Sequence, residues 1–180
     1  LVIVTIDGLR WQEAFAGADK HLINNSQFVS NIDDLKAHFW HEDKAQRRRL
    51  LMPFLSEVIA KQGSVIGDRE NGSTMSISNA QHFSYPGYNE IFTGRVDENV
   101  TSNAKIDNPN ITFIEWLNKQ PAYKNELAVF SGWDVFPYIF NRQRSGLFIN
   151  AGFEKMTLSK ADSTSTSLQN SVQEKPNLDE

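Results

Sequence analysis

Ser84 is the side chain in this sequence best suited to act as a nucleophile. It lies in residues 81–94, where a predicted strand is followed directly by a predicted helix. The unpaired backbone N–H groups and the positive dipole end of a helix attract anions, so a phosphate or sulfate would bind beside such a hydroxyl. Serine is also a favoured N-cap residue, and taken alone this run favours a purely structural cap.

Asp7 is the second candidate. It ends the apolar, β-branched run at residues 1–6 and precedes Gly8. Such a run is typical of a strand buried on both faces of a parallel sheet, and ligands of open α/β sheets bind beyond the carboxyl ends of the strands. Zinc and hard divalent cations accept carboxylate oxygens, whereas an Asp after a strand can also bond to its own loop. On these residues alone both interpretations stay open.

Together the two motifs resemble the alkaline phosphatase superfamily, most closely its type I phosphodiesterase and nucleotide pyrophosphatase-like branch. In that branch a first strand ends in a metal-binding Asp followed by Gly. A later Thr or Ser before an aromatic-Pro pair is the metal-bound nucleophile, and Thr-Gly closes its helix. Residues 6–8 (Ile-Asp-Gly), 84–86 (Ser-Tyr-Pro) and 93–94 (Thr-Gly) match this pattern without a gap.

The resemblance implies an α/β fold with three αβα layers around a mostly parallel sheet. It implies a metal-dependent hydrolase of phosphate esters that holds two divalent metal ions, zinc first and manganese as the other choice. By the same resemblance, Asp7 binds one metal ion, and Ser84 is both a metal ligand and the nucleophile. The partner is then a small-molecule phosphate or sulfate ester, and monoesters, diesters, sulfates and phosphonates all stay open.

Two features depart from the family pattern. Many phosphodiesterase members have an Asn three residues after the nucleophile that helps hold a substrate oxygen, but this chain has Gly87 there and Asn89 is the candidate substitute. The family's remaining ligands are Asp and His residues in the second half of a longer domain, whereas all four histidines here precede Ser84. We therefore expect the chain to carry about half a site and to be part of a longer enzyme.

Asp134 is a further candidate for substrate binding because it follows a predicted strand at its carboxyl end. The alternative is that it caps the next helix, which is a common role of Asp.

His38 and His41 are three residues apart and could face one metal ion. A closed zinc site uses four protein ligands, which favours a surface or packing role for both.

Hydrophobic periodicity predicts the elements that position these residues. The predicted strands are residues 1–7, 64–68, 74–79 and 127–130. The predicted helices begin near residues 31, 53, 84, 113 and 135, with Thr112 as a cap. Residues 11–31 are predicted to be a long loop. Residues 1–156 are expected to form the N-terminal part of the α/β domain, and the polar residues 157–180 a mobile connection.

Composition excludes several other classes of protein. The 180 residues are 39% hydrophobic and 22% charged, which is typical of a single globular domain. A net charge of −4 argues against binding of a nucleic-acid scaffold. There is no cysteine, which removes disulfide frameworks and thiolate zinc sites. The longest apolar runs are too short to span a membrane.

Two alternatives to the hydrolase stay open. One is a non-catalytic anion-binding or interaction domain of the same fold. The other is a serine acyl esterase, which is disfavoured because its nucleophile lies in Gly-x-Ser-x-Gly and needs a later His. The resembling branch is often exported, so an extracytoplasmic location, periplasmic or secreted, is expected. The sequence leaves the oligomeric state open.

Overall fold

The computed structural model describes residues 1–156 and the later positions 164, 167, 168, 170 and 171. The chain divides into two compact units, Leu1–Ser76 and Ile77–Glu180. Helices and a parallel pair of strands are both present, so the protein is of mixed α and β structure. The predicted connection at 157–180 lies almost wholly outside the described residues.

The first unit consists of short helices. These are α1 Trp11–Ala16, α2 Lys20–Ile23, α3 Ile32–Phe39, α4 Lys44–Leu51 and α5 Ala60–Gln62. A π-helical turn, Leu55–Ile59, leads into α5, and a 3₁₀ turn covers Arg69–Asn71. The predicted helix start near residue 31 is confirmed, because the Asn31 side chain accepts the Asp34 N–H and caps α3. The helix predicted from residue 53 is confirmed as well.

The strand predicted at residues 1–7 is wrong. These residues form no regular element, and Val2 and Val4 are 83% and 76% exposed. A β-branched run becomes a buried strand only where neighbouring strands accept its backbone hydrogen bonds. The described residues of the first unit contain no strand that could do so. Residues 64–68 and 74–79, which were also predicted as strands, form no regular element either.

The long loop predicted at residues 11–31 is also wrong, because α1 and α2 lie within it. Phe15 on α1 and Ile23 on α2 are both buried, so each helix turns an apolar side chain inward. The Asp19 carboxylate accepts the N–H groups of His21 and Leu22 and starts α2. This cap was the local signal that a composition-based interpretation missed.

The second unit contains the remaining described elements. These are α6 Ser84–Thr93, α7 Phe113–Asn118, β1 Ala128–Ser131, α8 Phe136–Ile139, α9 Arg142–Ser145 and β2 Phe148–Ala151. β1 and β2 pair in parallel, with Ala128 opposite Phe148. Parallel strands need a crossover connection, which α8 and α9 supply here. The predicted strand at 127–130 and the helix capped by Thr112 are both confirmed.

Aromatic side chains from α6 and α8 form much of the core of the second unit. The Tyr88 ring lies edge-on to Phe136 with centroids 4.9 Å apart. The Phe92 ring lies 4.7 Å from that of Phe140. Such tilted and edge-on pairs add to the free energy gained by burying the rings. The core therefore fixes α6, the helix that begins at Ser84, against the crossover between the two strands.

A buried ion pair joins α7 to α9. Glu115 is fully buried, and Arg144 donates to its two carboxylate oxygens with Nη2–Oε2 at 2.8 Å and Nε–Oε1 at 3.0 Å. Lys119 donates to the same carboxylate at 2.7 Å. Arg144 also donates to the backbone carbonyls of residues 108, 109 and 110. One guanidinium thus ties α7, α9 and the loop before α7 together.

The buried carboxylate should make stability depend on pH. Burial raises the pKa of Glu115, but hydrogen bonds from Arg144 and Lys119 outweigh burial and hold that pKa below its ordinary value of 4.5. A carboxyl with a lower pKa in the folded state adds stability above its unfolded pKa, and this stability is lost as the pH falls through the folded pKa. We expect the free energy of unfolding, measured in urea, to fall as the pH drops below about 4.5.

The Glu115→Gln variant tests whether this carboxyl causes the pH dependence of the free energy of unfolding. Glutamine keeps the size and an acceptor oxygen but cannot titrate, so its variant should lose part of the pH dependence in this window. Other carboxyls with lowered pKa values, such as Asp97 and Glu154, remain in both proteins. If the free energy of unfolding changed with pH identically in wild type and Glu115→Gln, this ion pair would not contribute to the pH dependence.

Candidate functional site

Ser84 is the first residue of α6 and is half-buried. The N-cap position belongs to Phe83, whose side chain makes no cap hydrogen bond, and Ser84 follows it in the first turn. The helix ends at Thr93, where Gly94 adopts φ 73° in the left-handed region that glycine favours. The predicted helix and its Thr-Gly ending are therefore present, although no strand precedes the helix.

The first turn of α6 offers fewer N–H donors than the sequence indicates. The Tyr85 N–H donates to Asn103 Oδ1 at 3.0 Å, and Pro86 has no N–H. The Gly87 N–H faces the Phe83 carbonyl at 3.5 Å. An anion beside Ser84 would gain less from the helix start than expected, so its binding would depend more on charged groups or metal ions.

Asp7 belongs to the first unit. It lies in an exposed turn with Gly8 at φ 73°. A Cβ on Gly8 would meet no atom within 4 Å, so glycine is needed at this position for backbone conformation alone.

Asn89 lies inside the second unit and not on its surface. Its side chain is 1% exposed. The Oδ1 atom accepts hydrogen bonds from Asn108 Nδ2 at 3.1 Å and from Asn110 Nδ2 at 3.2 Å, and Nδ2 faces the Arg95 carbonyl at 3.4 Å. This geometry supports a structural role. Substrate binding by Asn89 stays a prediction that no contact here supports.

Asp134 follows β1 at its carboxyl end, as predicted. Its carboxylate forms an ion pair with Lys105, with Nζ–Oδ2 at 2.5 Å, and both side chains are exposed. The alternative role as a helix cap is wrong, because Val135 occupies the N-cap position of α8. Asp134 lines a surface cleft of about 430 Å³ together with Arg142 and Glu154.

Gly152 controls the packing beside Asp134. Its φ is 62°, and a Cβ there would lie 2.8 Å from Asp134 Cβ. Gly152→Ala combines backbone strain with a steric clash, so we expect it to lower the free energy of unfolding by about 1–3 kcal/mol. Gly87→Ala is the matched control, because nothing lies within 4 Å of its Cβ. Since α6 has Gly87 in its interior, the control should raise stability by up to about 1 kcal/mol. Equal urea midpoints for the two variants would contradict this account.

Metal-ligating side chains do not cluster in the part of the chain that the structure describes. No group of three or more His, Asp, Glu or Cys residues there could hold a metal ion. His38 Nδ1 lies 2.8 Å from the Asp34 carbonyl, and His41 Nδ1 accepts the Asp43 N–H, which agrees with the surface role. Asp7 and Ser84 offer oxygen ligands of suitable chemistry, but the described residues alone do not complete a metal site.

Comparison of the chain with protein-family models, with curated proteins and with solved structures finds no match. No helix within the described residues has the length and apolar character needed to cross a membrane. A functional assignment therefore depends on the side chains of this chain and on the resemblance of its two motifs.

Proposed function

We propose that this chain is the N-terminal part of an extracytoplasmic, metal-dependent hydrolase of small-molecule phosphate esters, with Ser84 as its nucleophile. The main support is the Ser-Tyr-Pro sequence at the start of α6, a ten-residue helix that ends in Thr93-Gly94. The complete three-layer αβα architecture is part of the same proposal. Asp7 and Ser84 would each supply an oxygen ligand, and the other ligands would come from outside the described residues.

The proposed reaction has two displacement steps. Ser84 Oγ attacks phosphorus, the P–O bond to the alcohol breaks, and the alcohol leaves with that electron pair and takes up a proton. Water then attacks the phosphoseryl group, which releases phosphate and restores the serine hydroxyl with its proton. Divalent metal ions, when bound, would neutralise charge on the phosphate oxygens.

Tyr85 supports the proposal because it holds the first turn of α6 in place. Its hydroxyl donates to the Ile106 carbonyl at 2.8 Å and lies 3.2 Å from the Tyr138 carbonyl. Burial raises the pKa of Tyr85, so the phenol remains a neutral donor. A first turn anchored on both its backbone and its side chain keeps the Ser84 backbone in one position, which favours a defined line of attack.

Metal dependence separates the proposed function from its two alternatives. The full-length polypeptide containing residues 1–180 should hydrolyse p-nitrophenyl phosphate or bis-p-nitrophenyl phosphate, lose this activity with EDTA, and regain it with Zn²⁺ or Mn²⁺. Hydrolysis of p-nitrophenyl acetate that survives EDTA would instead support the acyl esterase. Phosphate binding without turnover would support the anion-binding domain.

Residues 1–180 alone should bind zinc weakly, because the described residues bring no three ligands together. Isothermal titration with Zn²⁺ measures this directly. Tight, stoichiometric zinc binding by this piece would contradict the proposal that the missing ligands lie elsewhere.

A further inference from the structure

The carboxyl ends of both strands open into one cleft in the second unit. β1 continues into residues 132–134 and β2 into residues 152–154, and Asp134, Phe153 and Glu154 all line the cleft. Its volume of about 430 Å³ is in the range of small-molecule sites. In α/β sheets the carboxyl ends of parallel strands are the usual place for ligands. The cleft therefore has the position and the size that a small-molecule site needs.

Hydrogen bonds hold the two strand ends in one arrangement. The Gly152 N–H donates to the Ser131 carbonyl at 2.9 Å, which joins the turn after β2 to the end of β1. Ser131 Oγ accepts the Trp133 N–H at 3.0 Å and so orders the turn that leads to Asp134. The backbone at this end of the two strands is therefore ordered before a ligand binds, so binding has to rearrange side chains only.

The cleft contains two positive and two negative side chains. Lys105 pairs with Asp134 at 2.5 Å, and Arg142 pairs with Glu154 at 2.6 Å. The four side chains are 39–56% exposed. Exposed ion pairs contribute little to stability. A ligand that carries both charges can therefore replace the two ion pairs at a small cost in free energy. A purely anionic or purely cationic ligand would instead meet two side chains of its own sign.

The remaining wall is apolar. Pro137, Tyr138, Ala151 and Phe153 line it, and Phe153 is 66% exposed. A large aromatic side chain that is exposed beside a charged cleft gains free energy when a ligand covers it. The ligand should therefore carry an apolar group in addition to its two charges.

We propose that this cleft binds a small zwitterion that carries an ammonium group, a carboxylate and an apolar side chain, as an aromatic or aliphatic α-amino acid does. The ammonium faces Asp134 and Glu154, the carboxylate faces Lys105 and Arg142, and the apolar group covers Phe153. The proposed site does not involve Ser84 or the hydrolase reaction.

Three matched probes test the charge requirement. L-phenylalanine carries both charges, N-acetyl-L-phenylalanine only the negative one, and L-phenylalaninamide only the positive one. Titration calorimetry with the protein should give a dissociation constant for L-phenylalanine at least about tenfold lower than for either derivative. Backbone amide shifts in NMR spectra should change at Gly132 and Gly152. Equal affinity for the three probes, no binding at millimolar concentration, or shifts elsewhere would each overturn the proposal.

Three variants locate the site. Phe153→Ala and Lys105→Ala change exposed side chains, so they should fold normally and weaken L-phenylalanine binding by at least about fivefold. Lys61→Ala is the control, because Lys61 is also an exposed lysine that forms an ion pair, here with Glu57, but it lies in the first unit. Binding that is unchanged in both cleft variants, or weakened as much in the control, would contradict the assignment.

Discussion

Replacing Ser84 with Ala should lower kcat for phosphate ester hydrolysis by the full-length protein at least about 10³-fold. Alanine removes the attacking oxygen but leaves the helix start, whose N-cap position belongs to Phe83. The loss corresponds to about 4 kcal/mol of transition-state stabilisation. It is measured with p-nitrophenyl phosphate, and the thermal melting curve of each variant shows whether the fold is retained.

Two further substitutions sharpen this test. Ser84→Thr keeps a hydroxyl at the same position and should retain part of the activity. The phosphodiesterase branch that the motifs resemble uses either Thr or Ser as its nucleophile. Ser102→Ala removes an exposed hydroxyl from the same unit and should leave kcat unchanged. If Ser84→Ala kept more than about a tenth of wild-type kcat, Ser84 could not be the nucleophile.

Arg144→Met should lower the free energy of unfolding by about 3 kcal/mol. The substitution leaves Glu115, which is fully buried, with only Lys119 as a charged partner. It also removes three hydrogen bonds to the carbonyls of residues 108–110. The main reason for the loss is that a buried carboxylate loses one of its two cationic partners and the hydrogen bonds that this partner donates. Urea unfolding monitored by tryptophan fluorescence measures it.

Lys119→Met is the matched control for this variant. It removes the other cation on the same carboxylate, but the Lys119 side chain is 47% exposed. We therefore expect a loss of no more than about 1 kcal/mol. If Arg144→Met and Lys119→Met lowered the free energy of unfolding equally, the contacts of the Arg144 guanidinium would not be the main source of stability here.

Local signals in the sequence predicted several elements correctly. Asn31 and Thr112 each mark a helix start because a side-chain oxygen accepts an N–H three residues later. The strand at 127–130 was predictable because a short apolar run forms it. The absence of a strand at residues 1–7 was not predictable, since strand formation needs a pairing partner that no local pattern identifies.

The buried polar contacts could be predicted only in part. Asn89 lies on the same face of α6 as Tyr85, four residues before it, and Phe92, three after it, and all three are buried. That spacing was a signal that Asn89 points inward. Glu115 and Arg144 are 29 residues apart, so no local pattern pairs them. The motif predicted a helix that begins near Ser84, which is confirmed, while the role of Ser84 as a nucleophile stays a prediction.

The most direct test of the proposed hydrolase is whether a phosphoryl group becomes attached to Ser84 during turnover. The full-length protein would be mixed with substrate, quenched with acid and digested with trypsin, which releases residues 70–95 as one peptide. Tandem mass spectrometry should find one phosphoryl group on that peptide, located at Ser84. A phosphoryl group on another residue, or an unmodified peptide while hydrolysis proceeds, would contradict the account.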